Sequence, residues 1–106
     1  MRATLQTLEQ TIRQRRSADP SASYVARLAV KGRAKIAQKV GEEAVEAVIA
    51  AMADDRDGAI GESADLIFHL MMLLADLDIP FDAVLDELDR REGMSGIAEK
   101  ASRPRD

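Results

Sequence analysis

The sequence predicts an all-α fold, an antiparallel helical bundle of four to five helices completed by dimerisation. Three observations carry this. Apolar residues recur three and four positions apart in five successive segments. No segment shows the two-residue alternation of a half-buried strand. The stretch 66–75 is apolar at every position except His69. A helix that is apolar all round is buried all round, and four or five short helices in 106 residues do not easily enclose one. A second copy of the chain supplies the missing cover, so the expectation is a homodimer with this helix at its centre. Met71 and Met72 read as core or interface filler.

Residues 2–16 read as the first helix, with Leu5, Leu8 and Ile12 at helical spacing. Asp19-Pro20 is a turn signal. A short second helix follows over 23–30, with Val25, Leu28 and Ala29 as its buried face, and Gly32 ends it. The third runs from Arg33 to about Ala53, where Ile36, Val40, Ala44, Val48 and Met52 form a stripe at four-residue spacing. Asp54 and Asp55 offer a turn and an N-cap. The fourth spans about 56–77. Pro80 or Phe81 opens the fifth, to about Arg91, with Val84, Leu85 and Leu88 inward. The whole, 1–106, is one domain, and 92–106 reads as a flexible basic tail.

Composition narrows the function. The hydrophobic share of 46% and charged share of 32% are those of a globular chain. There is no Cys, so disulfides, thiolate metal sites and a Cys nucleophile are excluded. A net charge of −4 argues against a nucleic-acid binder. The aromatic residues, Tyr24, Phe68 and Phe81, are too few for a base-stacking platform. No apolar signal core and no apolar run of membrane-helix length stands out. The default is a cytoplasmic protein without membrane or nucleic-acid partners.

The residues with chemistry to offer are acidic. Glu42, Glu43 and Glu46 lie on the third helix; Glu62 and Asp65 lie on the fourth. Three- and four-residue spacings put each set on one helix face. Both strips adjoin strongly apolar neighbours, so the carboxylates must be neutralised, paired or bound to a cation. One such strip is most often a solvated face. Two, joined by a helix–turn–helix of this length, meet side by side and form a site of four or five carboxylate oxygens. A hard divalent ion such as Mg²⁺ takes oxygen ligands and suits a substrate carrying phosphates. A di-iron bundle needs Glu-x-x-His on its helices, and none of these glutamates has one. His69, four residues after Asp65, reads first as a core histidine satisfied by one hydrogen bond; its other readings are support of Asp65 or proton transfer. Arg33, Lys35 and Lys39 make the opening of the third helix basic. They are surface ion-pair partners or phosphate-neutralising groups. Gly41 and Gly61 each precede an acid; each either makes room for a ligand or a close helix contact, or is simply tolerated in its helix.

The run Lys39-Val40-Gly41-Glu42-Glu43-Ala44-Val45-Glu46, followed after fifteen residues by Glu62-Ser63-Ala64-Asp65, resembles the E-x-x-E and E-x-x-D signature of the all-α nucleotide pyrophosphohydrolases. Ser23-Tyr24-Val25-Ala26-Arg27-Leu28 and the tail 99–104 narrow the resemblance to the phosphoribosyl-ATP pyrophosphohydrolase family. Gly58 and Gly61 depart from it, since larger residues are more usual at that helix start. The resemblance implies Mg²⁺-dependent hydrolysis of phosphoribosyl-ATP to phosphoribosyl-AMP and pyrophosphate, the second step of histidine biosynthesis, in a dimer or higher homo-oligomer. It implies Mg²⁺ on Glu43, Glu46, Glu62 and Asp65, and catalytic work by Glu42, Glu43 and Glu46. Lys39, Lys35 and Arg33 would meet the substrate's phosphates. The competing readings are a housekeeping nucleoside triphosphate pyrophosphohydrolase using the same acids, and a non-enzymatic helical dimer whose acids are surface charge.

Overall fold

The computed structural model describes residues 3–94 and 96–104. Among these it has six helices and no strand: α1 (Thr4–Arg15), α2 (Tyr24–Lys31), α3 (Arg33–Met52), α4 (Arg56–Asp76), α5 (Phe81–Arg91) and α6 (Gly96–Ser102). The first five match the sequence reading to within a residue or two. The sixth lies in the segment 92–106, where a flexible tail is expected from the sequence.

Local chemistry sets the boundaries. The Ser23 hydroxyl accepts from the Ala26 N–H at 3.2 Å and caps α2. Gly32 joins α2 to α3 alone, at φ +96°, where a side chain is strained. Asp54 takes the left-handed turn, φ 54°, and the Asp55 carboxylate caps α4 by accepting from the Gly58 N–H at 3.0 Å. The turn returns α4 antiparallel along α3, and the two long helices form the main packing seam.

The core is small: Ile12, Val25, Leu28, Ile36, Met71, Met72 and Ala75, with Leu5, Leu8, Phe68, Leu73 and Phe81 packed on it. It gathers where α1 and α2 cross the C-terminal half of α4. That end of α4 is held by arginines. Arg16 donates to the Ala75 carbonyl and pairs with Asp76 at 3.3 Å, and Arg33 reaches the same carboxylate at 2.7 Å. Cations there also face the negative end of the helix dipole. By length and composition α4 is apolar enough to cross a membrane, although Glu62 and Asp65 interrupt its apolar run. In this fold it is the core helix, packed against α1, α2 and α3.

Two predicted inward faces differ. Ile36 is buried and Val40 and Ala44 are half-buried, but Val48 and Met52 are 61% and 81% exposed. A four-residue step overshoots one helical turn by about 40°, so the stripe drifts across the helix. Over its second half Glu43, Ala47 and Ala50 turn inward instead. On α5, Val84 is half-buried, whereas Leu85 and Leu88 are exposed. No second layer among the described residues covers them; α5 is anchored at its start, where Phe81 joins the core and donates its N–H to Glu9 at 2.7 Å.

Candidate active site

The acids meet because of the turn. Glu46 and Glu62 stand eight residues either side of Asp54, and Glu43 and Asp65 eleven. Antiparallel helices therefore bring each strip opposite the other. Carboxylate oxygens of Glu43, Glu62 and Asp65 all lie within 4.8 Å of one another. Glu43 is buried, Glu62 half-buried and Asp65 exposed, so the cluster opens from the seam to solvent.

The inner end of this cluster is electrostatically incomplete. Glu43 Oε2 and Glu62 Oε2 are both buried with no hydrogen-bond partner among the described residues. Two carboxylates are acceptors only, and they coexist there if a proton or a cation lies between them. In its metal-free form the pair takes the proton. Glu62 is pushed up to about 7, first by its hydrogen-bonding contact with Glu43, then by that with Glu46, with burial and both charges adding. Glu43 is held below its usual range by the same contact with Glu62, against the effect of burial, with Lys39 assisting. Of the pair, Glu62 is therefore the one that takes up a proton as the pH falls.

The remaining predicted residues divide. Glu46 is exposed and outside the triangle of close oxygens, but near enough to raise Glu62. With Glu62 it lines a recess over Ala50, Ala53 and Gly58. Glu42 is exposed and held by the Gln38 amide at 3.1 Å and by Lys39 at 3.5 Å, away from the triangle. The Lys39 ammonium lies 3.6 Å from Glu43, at the edge of the site. Lys35 is one turn further back. Arg33 is not brought to the acids; its guanidinium is engaged with Asp76.

His69 is buried, but it makes two side-chain hydrogen bonds where the sequence suggested one. Nδ1 lies 2.8 Å from the Asp65 carbonyl oxygen and Nε2 2.8 Å from the Tyr24 hydroxyl. The sequence does not mark Tyr24 as a site residue, although it sits inside the Ser-Tyr segment. Its partner is 45 residues away, and no local pattern announces such a pair.

An oxygen-only donor set with two orphaned buried oxygens fits a hard divalent cation. Comparison with known proteins gives the family. The family model described as phosphoribosyl-ATP pyrophosphohydrolase matches residues 5–92. The chain belongs to this family. A protein of Rhizorhabdus wittichii named phosphoribosyl-ATP pyrophosphatase is 68% identical over 105 residues, 99% of this chain and 99% of its own. One of the same name from Novosphingobium aromaticivorans is 69% identical over 99 residues, 93% of this chain and 92% of its own. One from Agrobacterium fabrum is 50% identical over 101 residues, 95% and 94% respectively. As a member of the phosphoribosyl-ATP pyrophosphohydrolase family the chain is an enzyme. The matched span holds α1 except Thr4, all of α2 to α5 and every acid of the cluster; α6 lies beyond it.

Proposed function

We propose that this chain catalyses the Mg²⁺-dependent hydrolysis of phosphoribosyl-ATP to phosphoribosyl-AMP and pyrophosphate, the second step of histidine biosynthesis, in the cytoplasm. The observation that carries this is the pair of unpartnered buried oxygens on Glu43 and Glu62, in a chain whose relatives bear the name phosphoribosyl-ATP pyrophosphatase.

Glu43, Glu62 and Asp65 would hold the ion, with Glu46 completing the set from the open side. When bound, Mg²⁺ offsets the charge of the triphosphate and polarises the phosphorus. The residues of the chain do the rest. A carboxylate of the first strip orients the attacking water and accepts its proton. Lys39 exchanges its carboxylate partners for phosphate oxygens and stabilises the leaving pyrophosphate. Lys35 meets phosphate further along α3. Arg33, about 15 Å from Glu43 along the helix and engaged with Asp76, stands outside the phosphate set.

The active form is a homodimer. Val45, Val48, Ile49, Met52 and Ile60 are each more than half exposed on the α3–α4 hairpin, an apolar patch of the kind that marks an interface. The deciding experiment measures pyrophosphate release with Mg²⁺ from phosphoribosyl-ATP and from ordinary nucleoside triphosphates. Strong preference for phosphoribosyl-ATP is expected. Preference for another triphosphate would make the protein a housekeeping hydrolase, and no release from any would refute the proposal.

A further inference from the structure

We infer that Tyr24 and His69 are a positioning pair that holds Asp65 in the acid cluster, an inference that rests on the metal-assisted reading above. His69 is the single histidine of the chain. It is 6% exposed, with the rings of Phe68 and Tyr24 set edge-on to it at centroid distances of 5.2 and 5.8 Å. A backbone carbonyl only accepts, so the contact with Asp65 requires the hydrogen on Nδ1. With Nδ1 carrying the hydrogen, Nε2 of the neutral ring is the acceptor, and the Tyr24 hydroxyl then donates to it. The three groups form one directed chain, from the first residue of α2 through His69 to the turn of α4 that carries Asp65.

Asp65 is the member of the close triangle that most needs such support. Burial restrains Glu43 and partly restrains Glu62, but Asp65 is exposed. Its carbonyl already receives the His69 N–H in the α-helical ladder. The imidazole adds a second bond to the same oxygen and steadies that peptide. His69 also lies on the same helix face as Asp65, four residues on. Tyr24 determines where the imidazole rests, and the aromatic edges keep it from turning. Groups that orient a ligating residue in this way typically change metal affinity or activity by about 10- to 100-fold when removed.

The test is Tyr24→Phe, which deletes one hydroxyl and keeps the ring contacts. In the metal-free protein, nitrogen NMR of the single histidine is expected to show the Nδ1–H tautomer before substitution and a tautomer mixture after it. Titration with Mg²⁺ alone, followed by melting temperature, is expected to show about tenfold weaker binding in the variant. The kcat for pyrophosphate release should fall over a similar range with KM within about twofold, which marks loss of an interaction made in the transition state. His69→Asn, which retains an N–H for the Asp65 carbonyl, should keep more Mg²⁺ affinity than His69→Ala. A Tyr24→Phe protein that melts lower but keeps its Mg²⁺ affinity and kcat would reduce the pair to a tie between helices and overturn the inference. A rise in KM alone would make Tyr24 a substrate contact and also overturn it. No Mg²⁺ response in the unaltered protein would refute the metal site, and this inference with it.

Discussion

Glu43 and Glu62 face each other across the α3–α4 seam, and each has one buried carboxylate oxygen that no donor among the described residues reaches. Replacing one acid with its amide separates binding from folding. Above about pH 7, where Glu62 is ionised, Glu62→Gln supplies an N–H to Glu43 and removes a charge, so the metal-free protein should melt higher than the parent there. The same variant should lose Mg²⁺-induced stabilisation, and its kcat should fall on the order of 100-fold or more, the several kcal/mol expected when metal-borne charge stabilisation is lost. Melting curves in chelator and in Mg²⁺, beside a pyrophosphate assay, check all three. Full turnover would remove Glu62 from the site.

The shared proton makes the site pH-sensitive. Glu62 titrates near 7, above the glutamate reference of 4.5, because of Glu43 and Glu46. The folded chain therefore takes up a proton between those values that the unfolded chain does not. Its contribution to metal-free stability is full below about pH 4.5 and is lost as the pH rises through about 7. A cation must displace that proton, so apparent Mg²⁺ affinity should weaken as the pH falls below about 7, by up to about tenfold per unit. Mg²⁺ titrations at about pH 6, 7 and 8 measure this. An unchanging midpoint would place Glu62 outside the binding set.

Gly58, unusual near a helix start, answers to the Asp55 cap. A Cβ there would lie 2.2 Å from an Asp55 carboxylate oxygen. Gly58→Ala gains about 1 kcal/mol of helix propensity and loses about 1 kcal/mol as the cap is displaced. The net change should lie within about 0.5 kcal/mol. With Asp55→Ala already made, the same substitution should stabilise by about 1 kcal/mol. A double-mutant cycle by urea denaturation separates the two effects.

Asp76 gathers Arg16 and Arg33 at the C-terminus of α4. Its side chain is 14% exposed, but Arg33 is mostly open to solvent, which weakens that pair by screening. Asp76→Ala should cost about 1–2 kcal/mol in urea denaturation and leave the Mg²⁺ midpoint unchanged. A shifted midpoint would couple this clamp to the acids.

The exposed stripe on α3 tests the dimer. Val48→Asp with Met52→Asp places two charges on residues already open to solvent in one chain, so the chain should still fold. Sedimentation should show the mass fall from two chains to one. An unchanged mass would move the interface elsewhere.

Much of the fold was legible because helix signals are local. Leu5, Leu8 and Ile12 announce α1; Gly32, Asp55 and Pro80 mark boundaries that the structure keeps. The drifting stripe on α3 was misleading, because spacing alone does not say which part of a turning face meets a neighbour. Leu85 and Leu88 show the same limit: an amphipathic pattern says what a helix can bury, not what is there to bury it. The short helix α6 was missed because two glycines and a charged tail outweighed its few apolar residues.

By itself the sequence determined five helices, their antiparallel hairpin and the meeting of the two acid strips, since these follow from helical periodicity and the distance of each acid from one turn. Only the tertiary structure decided that Glu43 is the buried carboxylate while Glu46 stays open, that Arg33 goes to Asp76, and that Tyr24 reaches His69. Each depends on how one helix is rotated against another. That rotation is set by the packing of the whole core, Ile12 and Ile36 against Met72, and no single stretch of chain encodes it.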